Sequence, residues 1–124
     1  SEAGALLDQA PERNGVKTIV AEFPGMDAAQ LREVYDQLKS RRQNGGLAVV
    51  LASASNGRVT LIAGLSPDVV ARGLSAAEIV KAAAQAVGGS GGGKKELAQA
   101  GGKNPEGIPQ ALRAARELIE AGLA

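Results

Sequence analysis

The sequence predicts an α/β fold in which helices pack on a mixed β-sheet, within a single compact domain. Segments with apolar residues at helical spacing alternate with short runs rich in β-branched residues, a pattern typical of helices layered on a sheet. The chain has 124 residues, which is enough for one hydrophobic core. Only Phe23 and Tyr35 are aromatic, so we expect a core of small aliphatic side chains on closely approaching backbones.

The first half is predicted to form a strand, a helix and a hairpin. Pro24-Gly25 closes the strand, Asp27 is a candidate N-cap, and Asn44-Gly45-Gly46 ends the helix. The Asn56-Gly57 pair favours a tight turn between two strands. The strand is Val16 to Phe23, the apolar helix face is Leu31, Val34, Tyr35 and Leu38, and the hairpin strands are Leu47 to Ala52 and Arg58 to Gly64.

The second half is predicted to contain further helices. A helical turn follows Ser66-Pro67-Asp68, and Ser75 with Glu78 has the spacing of a capping box. Pro105-Glu106 begins the last helix, which ends near Gly122. The apolar faces of the two longer helices are Ile79, Val80, Ala83, Ala84 and Val87, and then Ile108, Ala111, Leu112, Ala115, Leu118 and Ile119.

The chain is expected to divide at about Asn14. Residues 1–14 are of mixed composition and include Pro11, so we interpret them as a linker or the end of an upstream helix. Residues 15–124 form the predicted domain. The first residue is Ser1 rather than Met, which suggests a piece of a larger protein.

The composition argues against several classes of function. The chain has no Cys and no His, which removes thiolate nucleophiles, the usual zinc ligands and the commonest acid/base group at neutral pH. We see no paired acid and base, and we expect no catalytic residues, metal or cofactor. No apolar run approaches the length that spans a bilayer. These observations favour a cytoplasmic binding module that does not contact a membrane.

The most informative segment is the run from Gly88 to Lys103, which holds seven glycines in sixteen residues. One reading is a flexible linker. We favour a structured loop followed by a strand, because Leu97, Ala98 and Ala100 are apolar and helices flank both ends. Exposed backbone N–H groups and the excess of lysine over glutamate suit a phosphate backbone. The spacing does not match the known ATP-binding or dinucleotide-binding loops.

Two glycine clusters in this run carry a family resemblance. Gly88-Gly89-Ser90-Gly91-Gly92-Gly93, followed by Leu97-Ala98-Gln99-Ala100-Gly101-Gly102, resembles the DHHA1 domain, in the version that closes alanyl-tRNA synthetases. That version often has an Arg-Pro-Asp-like triplet where this chain has Lys94-Lys95-Glu96. The resemblance implies a C-terminal domain that is not itself an enzyme. It would contact the outer corner of tRNA, where the D and T loops meet, and assist upstream catalytic and editing domains.

The candidate RNA-binding residues come from the glycine run and from one helix end. Lys39, Arg41 and Arg42 at the helix end have a second interpretation, because cations there also complement the helix dipole. Gln99 either satisfies backbone groups or contacts a base or a 2′-OH. The candidates are Gly91, Gly92, Gly93, Lys94, Lys95, Gln99, Gly101, Gly102, Lys103, Lys39, Arg41 and Arg42.

Other readings remain open at this point. Phe23 and Tyr35 could stack on bases, although their apolar patterns favour the core. The resembled domain also occurs as the substrate-binding part of DHH-family phosphoesterases, usually with a histidine where this chain has Lys94. A third reading is a dimerisation domain that uses the alanine-rich faces of Ala76 to Val87 or Ala111 to Leu123.

Overall fold

The structure, a computed structural model, describes residues 2–124 and has three layers, with a six-stranded sheet between two layers of helices. Among the described residues, no helix is both long enough and apolar enough to cross a membrane. The helices are α1 (Glu2–Gln9), α2 (Ala28–Arg41), α3 (Pro67–Ala71), α4 (Ala76–Ala86) and α5 (Ile108–Leu123). The strands are β1 (Glu12–Arg13), β2 (Val16–Pro24), β3 (Gly46–Ser55), β4 (Arg58–Leu65), β5 (Ser90–Gly93) and β6 (Leu97–Gly102).

The sheet is mixed, as the sequence predicts. The strand order is β1-β2-β3-β4-β6-β5, and only β2 and β3 run parallel. The β3–β4 hairpin is confirmed. Asn56 and Gly57 both have positive φ, at 54° and 77°, as the tightest hairpin turn requires. The run from Gly88 to Lys103 is not a linker, because it supplies β5, β6 and the turn between them.

One face of the sheet packs against α3, α4 and α5. Alternate residues of β3 and β4, such as Val50 and Leu61, are fully buried there. Of the capping box predicted for α4, the Ser75 bond is present: its hydroxyl accepts a hydrogen bond from the backbone N–H of Glu78. Ala98 and Ala100 of β6 also face this layer. Their small side chains let α4 pack closely on the sheet beside β5.

The opposite face packs against α1 and α2. Leu31, Tyr35 and Leu38 of α2 are buried against the other set of strand residues. Asp27 caps α2 and forms a complete capping box with Gln30, with bonds of 2.8 and 2.9 Å. Phe23 and Tyr35 are 6% and 4% exposed. Their placement in the core is therefore confirmed, and neither presents an open ring face for stacking on a base.

The segment before Gly15 is built into this layer. Ala3 and Leu7 of α1 are buried in the core that α2 covers. The Lys17 ammonium donates to the Leu7 carbonyl at 2.7 Å, at the end of the helix where a cation is favourable. Glu12 of β1 pairs with Lys17 of β2. Residues 2–13 thus contribute a helix and a strand to the folded domain.

The last helix tests two expectations: which of its residues are buried, and whether its alanine-rich face is free to form a dimer. Leu118 is 40% exposed, so its placement on the buried face is wrong. Leu118 lies at the margin of the buried face of α5, which Ala111, Ala115 and Ile119 form. Those residues and the apolar face of α4 are buried inside the domain. The alanine-rich faces of Ala76 to Val87 and Ala111 to Leu123 are therefore core, and they are not available to a second copy.

Candidate nucleic-acid interface

The glycine triplet forms a sheet edge that is covered on one side only. β5 is the last strand in the sheet, and it packs against α4 through one face. On the neighbouring β6, Ala98 and Ala100 are buried, whereas Leu97 is half-buried and Gln99 is exposed. Successive side chains of a strand point to opposite faces of the sheet. Leu97 and Gln99 therefore point to the face that α2 covers over the other strands. Here that face is left open.

This open face is the floor of a cleft of about 730 Å³. One wall is α2, and the other boundary is the β5–β6 hairpin together with the start of α3. The volume falls within the roughly 300–1,000 Å³ of typical ligand sites. The lining residues are Arg32, Tyr35, Lys39, Ile62, Leu65, Pro67, Gly92, Gly93, Lys94, Glu96, Leu97, Ala98 and Gln99.

The depth of the cleft depends on how closely α2 approaches β4. A Cβ atom at Gly64 would overlap the aromatic ring of Tyr35. Burial raises the pKa of the Tyr35 hydroxyl above its usual 10.0. The nearby Arg32 guanidinium lowers this pKa in part, and the Asp36 carboxylate raises it further. The hydroxyl is therefore neutral at physiological pH. Tyr35 supplies an uncharged inner wall.

The turn that carries Lys94 is held by backbone hydrogen bonds. The carbonyls of Lys94 and Lys95 accept from the N–H groups of Ala77 and Ala76, at 3.1 and 2.8 Å. The Glu96 carbonyl accepts from Leu65 at 2.9 Å. The first N–H groups of α4 are thus occupied by protein carbonyls rather than open to an anion. The side chains of Lys94, Lys95 and Glu96 are what the turn presents to solvent.

Three cations stand around the cleft. Lys94 comes from the hairpin turn, and Lys39 and Arg32 come from the flank of α2. Arg32 was not among the predicted residues. It lies seven residues before Lys39, which is two helical turns and therefore the same face, so helical spacing could have found it. Arg32 also pairs with Asp36 at 3.2 Å, but both side chains are about half exposed and the pair contributes little to stability.

The glycines of the run differ in what they do. A Cβ at Gly91 would overlap the Gln99 carbonyl, and one at Gly102 would press on Val87. Gly93 has φ of +148°, and its Cβ would lie 2.8 Å from the Ala98 Cα. These three positions need glycine for packing or backbone conformation. At Gly92 the nearest atom to a Cβ is the Lys81 Cε at 3.6 Å, which is an ordinary contact.

The basic end of α2 is divided between two places. Lys39 lines the cleft, whereas Arg41 and Arg42 line a second, smaller pocket of about 300 Å³ beside α1. Arg42 is largely enclosed. Its guanidinium donates to the carbonyls of Gly46 and Gly15 at 3.1 Å each and pairs with Glu12 at 3.4 Å. It joins the β1–β2 turn to the start of β3, which is a structural role that sequence spacing could not indicate.

The structure therefore brings together part of the predicted set. Lys39, Gly92, Gly93, Lys94 and Gln99 share the cleft. The other members of the set do not line it. Of these, Lys95, Gly101 and Lys103 are exposed near the same hairpin, Gly91 and Gly102 are half-buried in its packing, and Arg41 and Arg42 lie at the other pocket.

Comparison with known families identifies the fold that carries this cleft. The model of the DHHA1 domain matches residues 15–121, which includes all of α2, the hairpin β3–β4 and the whole glycine run. The chain belongs to the DHHA1 domain family. The family resemblance drawn from the two glycine clusters is confirmed.

The related sequences include alanine–tRNA ligases. It is 46% identical over 112 residues to the enzyme named alanine–tRNA ligase from Ralstonia nicotianae, covering 90% of this chain and 12% of that protein. The ligase from Bacillus pumilus is 39% identical over 123 residues, covering 99% of this chain and 14% of that protein. The chain thus spans about one seventh of the length of these relatives.

Two solved structures share the fold. The C-Ala domain of Aquifex aeolicus alanyl-tRNA synthetase matches with a TM-score of 0.76 and 24% identity, covering 90% of this chain and 97% of that domain. RecJ from Thermus thermophilus, solved with Mg²⁺, matches with a TM-score of 0.61 and 18% identity, covering 97% of this chain and 17% of that protein. At these identities the likeness concerns the architecture of the DHHA1 domain.

Proposed function

We propose that this chain is the tRNA-binding C-terminal domain of an alanyl-tRNA synthetase. In this proposal it contacts the outer corner of tRNA, where the D and T loops meet, and works in the cytoplasm. Its partners are tRNA and the catalytic and editing domains of the same protein, which carry out aminoacylation and the removal of misacylated products. The similarity to alanine–tRNA ligases over 90–99% of the chain supports this choice.

The observation that carries the proposal is the placement of cations around the cleft. Arg32, Lys39 and Lys94 come from two distant parts of the chain and line one concave surface. The net charge is only +1, so this concentration is local. Lysine and arginine that neutralise phosphates dominate the affinity of proteins for nucleic acids. A folded RNA with closely spaced phosphates fits a surface of this kind.

The test compares charge-neutral variants of the chain in binding to an alanine tRNA transcript at low salt. Lys39→Gln and Lys94→Gln should each weaken binding several-fold. Arg113→Gln is the matched control, because Arg113 is exposed on α5 in the opposite helix layer. Equal affinity of all three variants and the unmodified chain would contradict the proposal.

A further inference from the structure

The interior of the cleft differs in chemistry from its rim. Leu97 is half-buried and provides apolar surface, whereas Ile62, Leu65 and Tyr35 are almost fully buried behind the lining and add no charge to it. Gln99 is the neutral polar side chain on this floor, and it is exposed. A phosphate placed on such a floor would lose water without gaining a charged partner there. The interior therefore suits a flat, largely apolar group with hydrogen-bonding edges.

The rim suits the opposite kind of group. Arg32 and Lys39 are exposed on the α2 flank, and Lys94 is exposed on the hairpin turn. Glu96 is the one carboxylate in the lining, so positive charge exceeds negative charge there by 3 − 1 = 2. A ligand that matches both regions carries a neutral ring inside and anionic groups outside. A nucleotide within an RNA strand has both parts, because its base is a neutral ring and its phosphates are anionic.

We infer that the cleft holds one unpaired nucleobase of the bound RNA, with the Gln99 amide contacting its edge and the rim cations contacting the flanking phosphates. Specific recognition of RNA uses unstacked bases in loops, whose hydrogen-bonding edges are free. An amide side chain can donate to and accept from a base edge at once. This inference rests on the proposed function and makes Gln99 a specificity-determining residue in it.

The shape of the β5–β6 hairpin supports entry of a base from one side. β5 has no side chains between Gly91 and Gly93, so the wall beside Gln99 is bare backbone. Gly92 lies opposite Gln99 in the strand pairing and also lines the cleft. A ring could therefore approach Gln99 without meeting a side chain from the edge strand.

The test is a double-mutant cycle between the protein and an alanine tRNA transcript. Single abasic sites replace each unpaired nucleotide of the D and T loops, which removes the base and leaves its phosphate. Each transcript is titrated against the unmodified chain, Gln99→Met and Gln85→Met. Gln85 is exposed on α4, on the other side of the sheet, and serves as the matched control. Melting temperatures confirm that all three proteins are folded.

One abasic position should lower the affinity of the unmodified chain and of Gln85→Met by roughly 5- to 150-fold, the range for a good base-edge contact. The same abasic site should have no further effect on Gln99→Met. If no position behaves in this way, the base site is overturned, because a phosphate bound in the cleft would be unaffected by base removal. Loss of affinity in Lys94→Gln would then still support tRNA binding. Failure of the unmodified chain to bind tRNA would overturn both proposals.

Discussion

The ring of Tyr35 on α2 lies directly against the backbone of Gly64 on β4, where a Cβ atom would overlap it. This contact sets the distance between the helix and the sheet, and with it the wall of the cleft. Any side chain at Gly64 must push α2 outward or displace the ring, and overpacking of this kind typically costs about 1–3 kcal/mol.

Gly64→Ala should therefore destabilise the chain by about 1–3 kcal/mol, measured by urea unfolding. Gly101→Ala on the neighbouring strand is the matched control, because its nearest atom, the Val59 carbonyl oxygen, is 3.6 Å from a Cβ. The control should unfold at nearly the same urea concentration as the unmodified chain. Equal stability of the two variants would show that the ring is not held against Gly64.

Tyr35 also predicts how stability depends on pH. Burial raises the pKa of its hydroxyl above 10.0 in the folded state, so the unfolded chain loses this proton first as pH rises. The free energy of unfolding should consequently be fully maintained below pH 10 and fall as pH increases through the folded-state pKa. The chain has one Tyr and no Trp, so tyrosinate absorbance reports this group alone.

The alkaline titration should show a midpoint above 10 and coincide with loss of helical circular dichroism. Tyr35→Phe keeps the ring and removes the titrating group, so its alkaline unfolding should shift to higher pH. A tyrosinate midpoint at or below 10 in the folded chain would be inconsistent with the buried position of the hydroxyl.

The glycines of β5 should respond differently to the same substitution. Gly91→Ala should destabilise the fold, because its Cβ would overlap the Gln99 carbonyl. Gly92→Ala should leave stability nearly unchanged, because its Cβ has ordinary contacts. Thermal unfolding of the two variants checks this contrast. A lower melting temperature for Gly92→Ala than for Gly91→Ala would contradict the conclusion that packing requires glycine at position 91 and tolerates a side chain at position 92.

Arg42 should behave as a structural residue. Arg42→Met removes its hydrogen bonds to the carbonyls of Gly46 and Gly15, and each such bond contributes about 0.5–1.5 kcal/mol to stability. Lys39→Met removes an exposed side chain and should change stability by less than about 0.5 kcal/mol. Chemical denaturation of both variants compares them directly. A larger loss of stability in Lys39→Met would contradict the division between these two cations.

The sequence predicted the elements well because their signals are local. The Asn56-Gly57 turn, the Asp27 cap and the apolar periodicity of α2 are each set by neighbouring residues. Features that depend on distant contacts were missed. The Arg42 side chain donates to the Gly15 carbonyl, 27 residues away in sequence, which the β1–β2 turn brings within reach. The glycine triplet gave no strand signal, since glycine is depleted in strands, yet β5 pairs with β6 and packs against α4.

The dependence of tRNA affinity on salt tests the central claim most directly. The affinity of the unmodified chain for an alanine tRNA transcript, plotted as log K against log salt concentration, should fall steeply because bound phosphates release counterions. In the combined variant Arg32→Gln, Lys39→Gln, Lys94→Gln the slope should be shallower by about 3, roughly one for each lost phosphate contact. An unchanged slope in that variant would contradict the assignment of this cleft as the tRNA-binding surface.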